Sequence, residues 1–333
     1  MKRYLNGDPI PWLADGENQA VTYLTKCEFF ENVDPGELYP LLYNSKLTDF
    51  FLKNSSGGIL GNRRNFDLFY RGTVWFFLMA VESGYDSRTD FIRNTADFIC
   101  EESQLDDGGF SLNWTPQVSV GCRTGNMVYA LLRAGIKDER ASAGISWIIK
   151  KRRHDGGWLH CPFRGVCDTM RLVFFRRSGK GHLDDGDSSL PSCPVATYTC
   201  MNALAEAGEP SFAAALSRAA EFFLSRDLIA GAENKTGCGL FSDPSGPGYP
   251  VMSQYDIISL MRLVAGTPLL NSSRGGELFN FVIRSQNGSG RWSLSNPGQG
   301  MIRETEMESR WVTLNALRMI KAVTRGEAQL EKA

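Results

Sequence analysis

The most constraining feature of this sequence is a layout repeated three times, at 91–110, 144–158 and 278–292. Apolar residues recur at three-to-four spacing, then an Asp/Asn-Gly turn appears, then an aromatic. The turns read Asp107-Gly108-Gly109-Phe110, Asp155-Gly156-Gly157-Trp158 and Asn287-Gly288-Ser289-Gly290-Arg291-Trp292. The period predicts an amphipathic helix in each case. The glycines are expected to stop it by adopting positive φ, with the aromatic folding back on the helix end. More apolar stretches ending in Gly precede these helices, at 72–84, 124–135 and 195–208, and further members fall at 253–266 and 304–323. Outer partners are expected at 211–226 and 273–286. The unit is a helix pair of about 50 residues. Such pairs bury their apolar faces only by stacking, as an open solenoid or a closed ring.

A helix apolar all round must be enclosed, whereas one with a charged face can meet solvent. The alternation therefore predicts an all-α protein of two concentric helix layers. With 333 residues and 42% hydrophobic content the chain has material for a substantial core, and about six such pairs form one domain. Its 36 Lys and Arg against 37 Asp and Glu argue against a nucleic-acid partner, which would need a cationic excess. No apolar run follows Lys2-Arg3, and no stretch reaches the roughly 18 apolar residues of a membrane span, so the expected location is cytoplasmic.

The segment Gln104-Leu-Asp-Asp-Gly-Gly-Phe110, with degenerate counterparts at 153–158 and 286–292, resembles the QW repeat of squalene-hopene cyclases and the related repeat of protein prenyltransferase β subunits. The resemblance spans about 60–325 and implies an α/α toroid of five to six helix pairs around a central cavity. Residues 1–60, with Pro9, Pro11, Pro35 and Pro40, are expected to form a degenerate N-terminal helical unit packed on the ring of 61–333, which carries insertions at 159–194 and 228–250. The resemblance implies a terpenoid-cyclase or prenyltransferase-like protein that takes an apolar isoprenoid-type ligand, and a β-subunit-like ring allows a second subunit.

The chemistry of those families is not reproduced residue for residue. Their cyclases protonate the substrate from an Asp-x-Asp-Asp motif; the nearest element here is Leu183-Asp184-Asp185-Gly-Asp187, in another order and in a Gly/Ser-rich loop. Asp184, Asp185 and Asp187 are the catalytic candidates, with a solvated acidic turn as the alternative. The prenyltransferase zinc set uses an Asp, a nearby Cys and a His on a helix starting Tyr-His-Thr. The matching start here is Tyr249-Pro-Val-Met-Ser-Gln-Tyr255-Asp256, without His, and Cys238 and Asp243 stand in reverse order.

All three histidines, His154, His160 and His182, share a window with Cys161, Cys167 and Cys193. His160, Cys161, Cys167, His182 and Cys193 are candidate zinc ligands, since thiolate and imidazole suit that ion and could clamp an irregular insertion. Plain buried thiols and a Cys161–Cys193 disulfide remain alternatives.

Aromatics crowd the expected inner helices. Phe69, Tyr70, Trp75, Tyr129, Tyr198, Tyr255 and Trp311 are candidates for the cavity wall, against packing between the layers. Arg71, Arg123 and Arg171 stand at or before inner-helix starts, where guanidinium and free N–H groups would receive a diphosphate. Two further readings use the same ring: a non-catalytic binding or scaffold protein with a structural Cys/His site, and a carbohydrate-active α/α barrel. The latter needs paired carboxylates among Asp67, Asp106, Asp107, Asp155 and Asp256. An open, aromatic centre would favour the cyclase, and a centre plugged by side chains the scaffold.

Overall fold

The computed structural model describes residues 1–67, 71–113, 117–159, 192–226, 246–249, 255–294, 296–297 and 308–330. Phe69, Tyr70, His160, Cys161, Cys167, Arg171, His182, Asp184, Asp185 and Asp187 lie outside them, as does most of both expected insertions.

The described residues are mainly helical. In chain order the α-helices are α1 (Ile10–Leu13), α2 (Gln19–Phe29), α3 (Pro35–Tyr43), α4 (Lys46–Lys53), α5 (Thr73–Glu82), α6 (Asp90–Ser103), α7 (Gly121–Arg133), α8 (Glu139–Lys150), α9 (Pro194–Ala207), α10 (Ala213–Leu224), α11 (Ile257–Val264), α12 (Ser273–Arg284) and α13 (Arg310–Leu330). Among the described residues strand is confined to two-residue pieces: β1 (Ser55–Ser56) pairs antiparallel with β2 (Ile59–Leu60), and β3 (Gly248–Tyr249) parallel with β4 (Asn296–Pro297).

Helix contacts follow a cycle. α5 packs on α7, α7 on α9, α9 on α11, α11 on α13, and α13 on α2. The turn after α5 returns to α2: Gly84 lies against the Tyr23 and Leu24 side chains, and Arg88 donates to the Tyr23 hydroxyl at 3.1 Å. A second set covers this cycle, α3 on α2, α6 on α5, α8 on α7, α10 on α9 and α12 on α11. Composition explains the division. α5 buries every residue from Thr73 to Val81, and α9 every residue from Pro194 to Leu204. α12 buries only Gly275, Leu278, Phe279 and Val282, one apolar stripe. Residues 1–60 supply α2, which is one member of the inner cycle.

The three repeated turns share their hydrogen bonds. The backbone N–H of Phe110, Trp158 and Trp292 donates to Thr124, Thr197 and Thr313 at 2.8, 3.1 and 3.0 Å, each the fourth residue of the following inner helix. The carbonyls of the same three residues accept from Val120, Cys193 and Ser309 at 2.9, 2.8 and 3.0 Å, each immediately before its helix. The Trp158 and Trp292 indoles donate back to Ile148 and Val282 carbonyls at 2.7 and 2.8 Å, satisfying acceptors that helix ends leave open.

The glycines act differently from expectation. α6, α8 and α12 stop at Ser103, Lys150 and Arg284, several residues before the glycines, and their capping residues Gln104, Lys151 and Ser285 do not have positive φ. Gly108, Gly156 and Gly290 have φ of 87, 86 and 73° within the turn itself, while Gly109 and Gly157 do not. A Cβ on those three would meet the carbonyl oxygens of Ala143, Arg218 and Gly7 at 2.5, 2.4 and 2.4 Å. Each glycine lets one unit's turn touch the backbone of the next unit. In the third unit that neighbour is the N-terminal segment, so the outer layer meets its own beginning. Gln286 confirms the join, accepting from the Asn6 N–H and donating to the Tyr4 carbonyl, both at 2.8 Å.

Candidate functional site

Five inner helices send side chains to one central chamber. α5 contributes Leu78, Met79 and Glu82; α7 Asn126 and Tyr129; α9 Tyr198 and Asn202; α11 Ser259 and Arg262; α13 Asn315; and β3 adds Tyr249. The pairs within α7, α9 and α11 stand three or four residues apart, the spacing that aligns side chains on one helix face. The chamber has about 40 Å³. At roughly 10–15 Å³ for each enclosed water, that is room for about three water-sized groups.

The polar groups of its mixed wall are linked. The Tyr129 hydroxyl donates to a Glu82 carboxylate oxygen, and Arg262 Nη2 donates to Asn202 Oδ1 at 3.0 Å. Burial, reinforced by the Glu82 charge, pushes the Tyr129 phenol well above its usual range, so it remains a donor. Burial also raises Tyr198 to about 12. For Arg262 burial acts to lower the pKa, but Tyr129, Tyr198 and Glu82 around it more than offset that and hold the guanidinium charged.

The expected aromatic wall is only partly there. Tyr129 and Tyr198 line the chamber. Tyr255 instead sits between layers, its ring 5.1 Å from Phe223 of α10 and 5.6 Å from Tyr198. Trp311 stacks on Tyr249 at 4.1 Å with 4° between planes. Trp75 donates its indole N–H to the Asp67 carbonyl at 3.1 Å and lies under Arg123. Ring surface is placed where it removes most apolar area from water, and for these three that is against other rings and helices rather than the cavity.

The arginines part company too. Arg71 is exposed and its carbonyl accepts from the Asn62 N–H, so it faces away from the chamber. Arg123, in the first turn of α7, is 5% exposed, with its guanidinium 5.5 Å from the Trp75 ring centroid. Its Nε has no hydrogen-bond partner, and burial lowers its pKa against the opposing influence of Cys122 and Asp67. Among the described residues no carboxylate reaches ion-pair distance of it.

The candidate carboxylates have structural duties. Asp107 accepts from Gly109 N at 3.0 Å, Ser119 Oγ at 2.6 Å and Trp147 Nε1 at 3.0 Å. Asp155 accepts from Gly157 N at 3.1 Å and Ser192 Oγ at 2.7 Å. Asp256 caps α11, accepting from Ser259 N at 2.7 Å and Gly248 N at 3.1 Å. Asp67 accepts from Asn113 N at 2.9 Å, and Asp106 is exposed. Glu82, which sequence reasoning passed over, is the carboxylate on the chamber wall. The overlooked residues Glu82, Asn126, Asn202 and Arg262 do carry a signal: each is a polar residue on a helix that is otherwise buried.

Cys193 is buried at the entry to α9, and its N–H donates to the Trp158 carbonyl at 2.8 Å. Among the described residues no group of three or more His, Cys, Asp or Glu side chains is placed to hold a metal ion. None of the described helices is long and apolar enough to cross a membrane.

No protein-family model and no curated protein matches this sequence. Among solved structures, the Lin0763 protein from Listeria innocua is similar at 13% identity and a TM-score of 0.45, covering 97% of this chain and 86% of that one. A variant of the type II terpene cyclase MstE from Scytonema, in complex with geranylgeranyl dihydroxybenzoate, aligns at 11% identity and a TM-score of 0.33, covering 95% and 99%. A protein from Actinoplanes aligns at 14% identity and 0.32, covering 83% and 97%. At these values they transfer no ligand, activity or residue role to this chain.

Proposed function

We propose that this protein is a small-molecule-binding α/α toroid on the terpenoid-cyclase and prenyltransferase plan, whose centre takes a short polar ligand rather than a folded polyprene. One observation carries this: the chamber is about 40 Å³, and beside Leu78, Met79 and three tyrosines its wall carries a carboxylate, a guanidinium and three amides, Glu82, Arg262, Asn126, Asn202 and Asn315. Cyclisation needs room for a hydrocarbon chain and ring faces beside the travelling cation. Buried donors and acceptors instead favour a ligand that answers them with its own. The test is native mass spectrometry of protein purified from its own host, followed by denaturing release. A small polar compound is expected, absent from Arg262→Leu; a stoichiometric polyprenyl species would overturn the reading.

Arg123 favours a second reading, in which an isoprenoid diphosphate is held at the N-terminal ends of the inner helices. A buried guanidinium without a carboxylate, stacked on Trp75, is a receptor for an anion. Arg123→Ala should then weaken geranylgeranyl diphosphate binding, and unchanged affinity would refute it. The Cys/His zinc site stays a proposal for 159–194: the Cys193–Trp158 backbone bond brings the two ends of that insertion together. Elemental analysis showing less than half an equivalent of zinc would dismiss it.

A further inference from the structure

At the C-terminal ends of the inner helices lies a second, open cavity of about 460 Å³. Asn202 and Arg262 line it as well as the central chamber, so the two adjoin. Five cations face it, Arg133, Arg262, Arg318, Lys321 and Arg325, against two carboxylates, Glu28 and Glu206.

The ion pairs use up both acids. Arg318 Nε lies 2.9 and 3.1 Å from the two Glu28 oxygens, and Nη2 2.5 Å from one of them. Arg133 lies 3.8 Å from Glu28 and 3.7 Å from Glu206. Arg262 has the neutral Asn202 as its hydrogen-bond partner, Lys321 donates to the Glu28 carbonyl, and Arg325 is exposed. Cations often stand at helix C-termini to complement the dipole. That explains Arg133 and Arg262, but α13 continues to Leu330, so Arg318, Lys321 and Arg325 are not terminal. Their spacing of three and four places them on one helix face, where like charges repel. Consistent with that crowding, burial together with Arg325 and Arg318 lowers the Lys321 pKa, against the pull of Glu28.

A concave, cationic basin with its carboxylates already engaged is built for an oxyanion of more than one charge. We propose that it binds a phosphate group carrying at least two negative charges, presented either by a free phosphorylated molecule or by a phosphomonoester lipid headgroup. This deepens the reading of the central chamber, which would hold the polar remainder of a free ligand, but it stands or falls by its own measurement.

The probe is inorganic pyrophosphate, titrated calorimetrically into the full chain at low salt. Wild type should bind, and the double variant Lys321→Gln/Arg325→Gln should lose at least tenfold in affinity while its far-ultraviolet circular dichroism at the titration temperature stays that of wild type. Glu28→Gln should tighten binding. Asn126→Ala, which alters only the chamber, should leave pyrophosphate untouched, so a failed chamber reading cannot be mistaken for a failed basin. Absence of binding by wild type, or equal binding by the double variant, would overturn the proposal. Sedimentation with phosphatidic acid vesicles, competed by pyrophosphate, assigns the phosphate to a lipid; no sedimentation assigns it to a free molecule. Sedimentation that survives the double variant would also overturn it.

Discussion

Two helical glycines should respond to the same substitution with opposite sign. Gly276 stands inside α12, and a Cβ there would meet nothing within 4 Å. Gly276→Ala should stabilise the protein by about 1 kcal/mol, the helix-propensity difference between the two residues. Gly125 stands inside α7 where it crosses α9, and a Cβ there would lie 2.5 Å from the Thr199 carbonyl carbon and 2.6 Å from the Cys200 nitrogen. Those are backbone atoms, which cannot rotate aside. Restoring an ordinary contact means parting the two helices by about 1 Å, which forfeits much of the attraction across their seam. Overpacking of this kind costs about 1–3 kcal/mol, and a backbone target puts it near the top. Offset by the same propensity gain of about 1 kcal/mol, Gly125→Ala should lose about 2 kcal/mol. Urea unfolding gives both numbers from shifts in midpoint at constant slope. If Gly125→Ala matched Gly276→Ala, the close approach of α7 and α9 would be wrong, and with it the placement of Asn126 on the chamber wall.

Trp158→Phe keeps an aromatic but deletes the indole donor to the Ile148 carbonyl, and should cost about 1–3 kcal/mol in urea unfolding from the stranded acceptor; Trp292→Phe should cost less, because the Val282 carbonyl also accepts from the Ser285 N–H at 3.2 Å and hydroxyl at 2.7 Å. Burial pushes the Glu28 carboxyl up, but Arg318 and Arg133 more than offset this and leave it below the usual range. Its contribution is therefore present above the unfolded pKa of about 4.3 and lost as pH falls through the lower folded value. Acid titration of stability should show that loss in wild type and a shallower one in Glu28→Gln. Asp256 has the opposite sign, raised by burial against the hydrogen bonds from Ser259 and Gly248, so its effect weakens the fold as pH rises above the unfolded value of about 3.9. Asp256→Asn keeps an acceptor for the Ser259 N–H but turns its NH2 toward the Gly248 N–H, so it should lose about 1–3 kcal/mol, and Asp256→Ala, which keeps neither bond, at least about 1 kcal/mol; circular-dichroism melts compare them with wild type.

The helix pairs, their alternation of apolar and amphipathic members, and the threefold recurrence of turn and aromatic were all legible in the chain, because periodicity is local and survives without knowledge of partners. The glycines were recognised, but their purpose was misjudged. Spacing suggested helix caps, whereas Gly108, Gly156 and Gly290 keep clear of carbonyls belonging to the next unit. The candidate site was less legible. Tyr129 and Tyr198 line the chamber, while Tyr255 and Trp311 turned to other rings and Trp75 to the Asp67 carbonyl and Arg123, a choice set by rotation of each helix about its axis.

By itself, the sequence determined that this protein is all-α, built of paired helices in two layers, with no charge excess for a nucleic acid. Tertiary structure alone decided that its centre is small, that Glu82 and Arg262 both line it, and that five cations gather beside it at the C-terminal ends of the inner helices. The physical reason is that a side chain's period reports which face of a helix is buried, but only the packing of five helices decides which buried polar groups share a cavity.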